Sequence, residues 1–408
     1  MEKKKFLWVS DSPLLTTGFG RNTLKVCEEL VKRGHIVEVL GLQYVGRPIE
    51  MNGFKLLPNT SGGFDSKLLQ AYIQSFNPDY LITVLDIWNT GFAIDASRKT
   101  GVPYINYFPL DGEPIPTSFA ELASYSTMSL VTSKYSQRVL ADAGVFSTVW
   151  CNGYDPSVLH FTQQEEKEKL KKEIGVNGFL ISSVSRNISR KQVPLVIAAF
   201  KKFEDMGNKK DVTLLLNMKP SEKAGWDLEH IIKYFRVRNP VRFPASSLSP
   251  IIGVDEEAVA KFMMASDIHA LATSGEGWCC PILECMACGT PNVVTDFTSP
   301  RELLSDGRGV LIKPVGYIFG QYEYLRAVCD VNAMADAFED LYQHPEKRAS
   351  IAKKAYEWAK EFTWSRIVDD FEKIINDFEN IQLEAISLQR LKTIEGYRKR
   401  IAEYAKKC

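Results

Sequence analysis

The sequence predicts an α/β protein built from two halves, each a parallel sheet covered by helices, with further helices at the C-terminal end. Three observations predict it. Short apolar runs alternate with longer stretches of helical period along most of the chain. The alternation breaks once, at the charge-dense run 162–172, and then restarts. The length of 408 residues fits two such units at roughly 150 residues each, with chain to spare.

In the first half, Phe6–Val9 reads as a strand. Leu24, Cys27, Leu30 and Val31 fall at helical spacing within Asn22–Arg33, and Gly34-His35 ends that helix. Strands follow at Ile36–Leu42, Tyr80–Val84, Tyr104–Phe108, Ser129–Thr132 and Thr148–Cys151. The run 162–172 is a solvated helix and marks the seam. In the second half, Phe179–Val184 is a strand and Pro194–Phe203 a helix, with proline at an early helical position. Val212–Leu216, Val241–Phe243, Ile268–Leu271, Asn292–Val294 and Val310–Ile312 are further strands. After Val331 the chain reads as helical. The expected division is 1–155, 156–363 and 364–408. Strands alternating with helices imply parallel sheets buried on both faces.

Fifty Lys and Arg balance fifty Asp and Glu. Zero net charge argues against a general polyanion binder while leaving room for local patches. No apolar run reaches the ~18–20 residues of a membrane span. The four-residue run after Lys5 is too short for a secretory core. Cys279, Cys280, Cys285 and Cys288 are crowded together, with neither a second CxxC nor a His pair beside them. They read as reduced thiols of a cytoplasmic protein, used as small apolar residues, and not as a metal site. The sequons at Asn59 and Asn187 read as chance matches.

The most informative segment starts at Ser274 and runs Ser-Gly-Glu-Gly-Trp-Cys-Cys-Pro-Ile-Leu-Glu-Cys-Met-Ala-Cys-Gly-Thr-Pro. It leaves a strand and enters a helix near Pro281, so free backbone N–H groups face an incoming anion. Glu276 lies in the loop and Glu284 on the helix, suited to sugar hydroxyls and to a ribose diol respectively; taken alone, acidic capping of the helix is the competing reading. A second segment, Ser185-Arg186-Asn187-Ile188-Ser189-Arg190-Lys191-Gln192, joins a strand to a helix. Arg186 and Lys191 there suit a diphosphate, and basic loop residues read alone are equally solvated ones. A third, Thr16-Thr17-Gly18-Phe19-Gly20-Arg21-Asn22-Thr23, carries glycines that let a ligand approach the backbone.

These segments resemble the retaining glycosyltransferases of family 4 (glycosyltransferase group 1), whose fold is GT-B: two Rossmann-like domains facing a central cleft. Glu276, Gly277, Pro281, Glu284, Met286-Ala287-Cys288-Gly289 and Pro291 match the family's E-x7-E run, with Cys279 and Cys280 at two small or aliphatic positions. The resemblance implies that Glu276 contacts the donor sugar and Glu284 the nucleotide ribose. It implies that Arg186 and Lys191 hold the diphosphate, with Gly18, Phe19, Gly20, Gly277, Trp278, Cys279 and Cys280 around the donor. Ser185 and Gln192 replace two usual glycines, and Arg190 is an extra cation with no counterpart. Ser133–Ser136, Cys151–Asp155, Asp255–Asp267 and Glu361–Trp364 match by position, and the chain is then expected to cross back to the first domain.

One departure concerns the first domain. Many members carry a histidine there, and none of His35, His160, His230, His269 and His344 fits the role. Asp111, at the end of a strand and before Gly112, is a candidate to accept the acceptor's proton or to face the positive charge on the sugar, and equally a turn residue bonding its own backbone. Asp86 is a second candidate.

The expected activity is metal-independent transfer of a hexose from a UDP- or GDP-sugar, such as UDP-glucose, to an acceptor hydroxyl, with retention and without a cofactor. The alternatives are a non-catalytic nucleotide-sugar or glycan binder and a sugar-nucleotide epimerase. The acceptor is a lipid-linked glycan, a protein, a small metabolite or a modified nucleic-acid base. Leu391, Ile394, Tyr397, Ile401 and Tyr404 form an apolar stripe in a basic tail, with Arg390, Lys392, Arg398, Lys399, Arg400, Lys406 and Lys407 around it. Packing is the default for that tail, a dimer helix or an anionic surface or nucleic acid the alternatives, and Gly396 is expected to interrupt its helix.

Overall fold

The computed structural model describes residues 2–207, 209–244 and 256–405. Eight strands form the first sheet: β1 (Lys5–Ser10), β2 (Ile36–Gly41), β3 (Ile49–Met51), β4 (Phe54–Pro58), β5 (Tyr80–Val84), β6 (Tyr104–Phe108), β7 (Met128–Val131) and β8 (Thr148–Val149). Their order is β3-β4-β2-β1-β5-β6-β7-β8. Every pairing is parallel except that of β3 with β4. Six form the second: β9 (Phe179–Val184), β10 (Val212–Asn217), β11 (Val241–Arg242), β12 (Ile268–Leu271), β13 (Asn292–Thr295) and β14 (Val310–Ile312). Their order is β11-β10-β9-β12-β13-β14, all parallel. The strands β1, β5, β6, β9, β10, β12 and β13 bury almost every side chain, as expected of sheets covered on both faces.

Both sheets reverse direction of growth at one strand. In the first, β1 lies between β2 and β5; in the second, β9 lies between β10 and β12. Ligands of open parallel sheets bind beyond the carboxyl ends of the strands at such a reversal. The loops after β5, β6, β9 and β12 therefore hold Asp86, Asp111, Arg186, Lys191 and Glu276, and the helices that follow β1 and β12 hold Gly20 and Glu284.

The chain returns to the first half at its end. The helix Trp364–Ala405 begins beside Tyr154, whose carbonyl accepts from Trp364 N at 3.1 Å. Trp364, Ile367, Val368, Phe371 and Ile375 enter the core of the first sheet with Trp8 and Trp150. Trp150 Nε1 donates to Ile367 O at 2.8 Å. Gly153 permits this crossing, because a Cβ there would lie 2.9 Å from Trp364 N. The helix runs on through Gly396 instead of stopping there, since one glycine costs a helix only about 1 kcal/mol. The side chains of the apolar stripe and basic residues of the tail lie outside the described residues, as does Asp255.

Neither β3 and β4 nor a second hairpin has a counterpart in the sequence pattern. An antiparallel hairpin, β15 (Gly316–Phe319) and β16 (Leu325–Val328), projects between β14 and the next helix. It reaches the first half: Leu325 N donates to Glu113 O at 2.8 Å, and Tyr322 stacks on Trp88 at 4.4 Å. Contacts across the gap hold it, and such contacts leave no local periodicity to read.

Candidate functional site

The loop after β9 closes in a short turn, Ser189–Lys191, pinned from beneath by Asn187. The Asn187 side chain donates to Lys219 O and Trp226 O and accepts from Trp226 N. Asn187 and Asn59 are both buried, so neither sequon is open in the folded chain. The turn aims Arg190 and Lys191 at the loop after β12. Lys191 Nζ bonds Glu276 Oε1 at 2.5 Å, and Arg190 Nη1 bonds Glu276 Oε2 at 2.8 Å. Thr273 Oγ1 donates to Glu276 Oε1 at 2.6 Å. Burial alone would raise the Glu276 carboxyl, but Arg190 and Lys191 pull it down to about 2.

Across the gap stands Asp111, at the end of β6. Its Oδ2 takes Arg190 Nε at 2.9 Å, and its Oδ1 takes Arg326 Nη2 of β16 at 3.1 Å. Asp86, after β5, lies nearby, and burial and the charge of Asp111 push its carboxyl up to about 7, against the opposing charge of Arg190. The third reach across the gap is made by Arg21, in the first helix (Gly18–Lys32). It bonds Glu284 of the helix Cys280–Ala287. Burial pushes the Glu284 carboxyl up and Arg21 opposes it.

The structure thus brings together Lys191, Glu276 and Asp111, and sets Glu284 on the neighbouring helix turn facing Arg21. It leaves Arg186 apart: this side chain is 67% exposed and bonded to Glu222. Close approaches around the site depend on Gly20, Gly275 and Gly277. A Cβ on Gly20 would lie 2.6 Å from Leu15 O, one on Gly277 2.3 Å from Pro109 Cβ, and one on Gly275 2.1 Å from Asp111 O. Gly18 meets nothing within 4 Å, so its open face is free for a ligand. Phe19 is half-buried against the first core. Trp278 and Cys279 face inward into the second core, Trp278 with its ring 5.6 Å from that of Phe362. Cys279 caps the helix at φ 74°, and Cys280 lies beside Arg21, its thiol pushed up to about 11 by burial and by Glu284.

Sequence reasoning missed Arg21 and Arg326, and it left Arg190 without a task. The signal for Arg21 was present, because it lies inside the glycine-bearing segment. Two of the histidines, His269 and His35, hold structural places. His269 is fully buried between Val184 N and Asn292, and burial holds it down at about 4. His35 bonds Glu372 of the returning helix at 2.8 Å.

Comparison with known proteins bears on the second half of the chain and on the fold. The family described as "Glycosyl transferases group 1" matches residues 248–358, the part that holds Glu276 and Glu284. The D-inositol 3-phosphate glycosyltransferase of Paenarthrobacter aurescens (strain TC1) is 29% identical over 109 residues. That match covers 26% of this chain and 23% of the relative's length. Among solved structures, the sucrose-phosphate synthase of Thermosynechococcus elongatus superposes with a TM-score of 0.77 at 13% identity, over 93% of this chain and 100% of that one. HepE of Anabaena, solved with UDP and glucose, gives 0.69 at 18% identity over 92% and 100%. The α,α-trehalose 6-phosphate synthase of Burkholderia multivorans gives 0.68 at 13% over 94% and 100%. The fold they share with this chain is the two-domain GT-B fold.

Proposed function

From a chain whose residues 248–358 belong to the group 1 glycosyl transferases and whose architecture is GT-B, we propose a retaining hexosyltransferase. It moves the sugar of a nucleotide diphosphate sugar to an acceptor hydroxyl. The observation that carries this reading is the buried contact of Lys191 and Arg190 with Glu276 at the carboxyl ends of β9 and β12.

In this conformation the carboxylate meant for sugar hydroxyls is satisfied in part by Lys191, a cation meant for phosphate. A donor diphosphate offers Lys191 a doubly charged partner in place of Glu276. The freed Glu276 oxygen then accepts hydroxyl hydrogens of the sugar. The charge that develops on the departing diphosphate is met by Lys191 and by Arg186, whose exposed side chain exchanges Glu222 for the phosphate. Preorganised cations at that point act where charge appears in the transition state, and they fill the place a divalent metal takes elsewhere. Glu284 takes the ribose diol in place of Arg21. Asp111 faces the sugar from the other half, on the acceptor's side.

The HepE complexes with UDP-glucose and with UDP and glucose support UDP-glucose as the first donor to try. The test incubates the protein with UDP-glucose, UDP-N-acetylglucosamine and GDP-mannose in turn. Release of nucleotide from one of them, with the α-configured sugar as the first-formed product by NMR, is the expected result. Nucleotide release from none would refute the reading. Product formed without loss of the nucleotide would favour an epimerase instead.

A further inference from the structure

Arg190 occupies a singular place in the cluster. Its Nη1 bonds Glu276 and the Gly275 carbonyl in the second half, and its Nε bonds Asp111 in the first. Its own carbonyl accepts from Ser274 N at 2.8 Å, which ties its loop to the loop it holds. Glu276 divides its two oxygens between Lys191 and Arg190. If the donor takes Lys191, the Thr273 hydroxyl and Arg190 keep the Glu276 carboxylate oriented, and Arg190 is the one of the two that also reaches the facing half. Asp111 likewise divides its oxygens between Arg190 and Arg326. A planar guanidinium with several donors fixes two carboxylates in one geometry, which a lysine does not do.

We propose that Arg190 is a positioning residue that sets Glu276, on the donor side, and Asp111, on the facing half, in one register. The site is then complete only when the two halves are closed. The inference rests on the glycosyltransferase reading above. Misplacing a reacting group by about 1 Å costs on the order of 10²-fold in rate without a matching loss of binding.

The test uses the full chain and whichever of UDP-glucose, UDP-N-acetylglucosamine and GDP-mannose it cleaves, with water as acceptor. Arg190→Met is expected to lower kcat on the order of 10²-fold. The affinity for the free nucleotide, by calorimetry, should stay within about threefold. Arg190→Lys should recover part of kcat. Arg190→Met combined with Asp111→Asn should be no slower than the slower single variant, because both cut one link. If Arg190→Met does not fold by circular dichroism, Arg190→Lys and Asp111→Asn carry the test by the same split of kcat from affinity. Unchanged kcat would overturn the proposal, and so would equal losses of kcat and nucleotide affinity. Lys191→Met separates this outcome from failure of the functional reading. Cleavage lost in Lys191→Met but indifferent to Arg190 overturns the positioning role alone. A protein that cleaves no donor, or cleaves equally well without Lys191, overturns both.

Discussion

Arg21 and Glu284 form an ion pair between the two halves of the molecule, 263 residues apart in the chain. The Glu284 side chain is only 5% exposed, so its charge has no other outlet. Breaking a buried pair on one side leaves an uncompensated charge and costs about 3–5 kcal/mol, whereas replacing both partners by apolar groups costs little. Arg21→Met should therefore destabilise the protein by that amount in urea unfolding, and Arg21→Met/Glu284→Met should recover most of it. Equal stability of the single and the double variant would contradict the pairing.

Glu276 gives a pH signature. Its folded-state value, about 2, lies below its ordinary 4.5. A carboxyl depressed on folding stabilises the folded state above its unfolded value, and that stabilisation is lost as pH falls toward the folded one. The shift corresponds to about 3 kcal/mol. The stability difference between the parent and Glu276→Gln should be full above about pH 5 and shrink steadily toward pH 2. A difference flat from pH 7 to pH 3 would remove the cation cluster as its cause.

Asp86 has the opposite sign. Its folded value of about 7 lies above the ordinary 3.8, so the folded state holds its proton more tightly. Stability is then highest at low pH and declines as pH rises between those two values. Asp86→Asn should match the parent below about pH 4 and gain progressively to pH 7, by ~4 kcal/mol at most. Thermal unfolding from pH 4 to 8 checks this; a constant offset would contradict it.

Gly277 is a contact between halves. An added Cβ would lie 2.3 Å from Pro109 Cβ, while Gly277 O accepts from Thr132 Oγ1 at 2.7 Å. Gly277→Ala should cost about 1–3 kcal/mol through overpacking and should slow donor cleavage by holding the halves apart. An Ala variant with parental stability and rate would show that the halves need not close here.

Much of this was legible in the chain. The run Phe6–Val9 lies within β1, and Tyr80–Val84, Tyr104–Phe108 and Phe179–Val184 coincide with β5, β6 and β9, because strands buried on both faces are written as unbroken apolar runs. Glu276 and Glu284 were legible because a strand, a loop and a helix place them locally. Arg21 and Arg326 were not: the former meets its partner 263 residues away and the latter 215. The glycines beside Arg21 mark its segment, but nothing local names the partner of either arginine. β15 and β16 were missed for the same reason, since Trp88 and Glu113 of the other half hold the hairpin. Trp278 was misleading: its place beside Gly277 pointed to the donor, but its ring completes the second core.

The central claim is that cations after β9 cleave a nucleotide diphosphate sugar by stabilising its leaving group. It is tested most directly by nucleotide release from UDP-glucose, UDP-N-acetylglucosamine or GDP-mannose, compared between the parent and Arg186→Ala/Lys191→Ala. The account predicts release from one donor by the parent, and a loss on the order of 10³-fold in a double variant that still folds. Undiminished release by the double variant would contradict it.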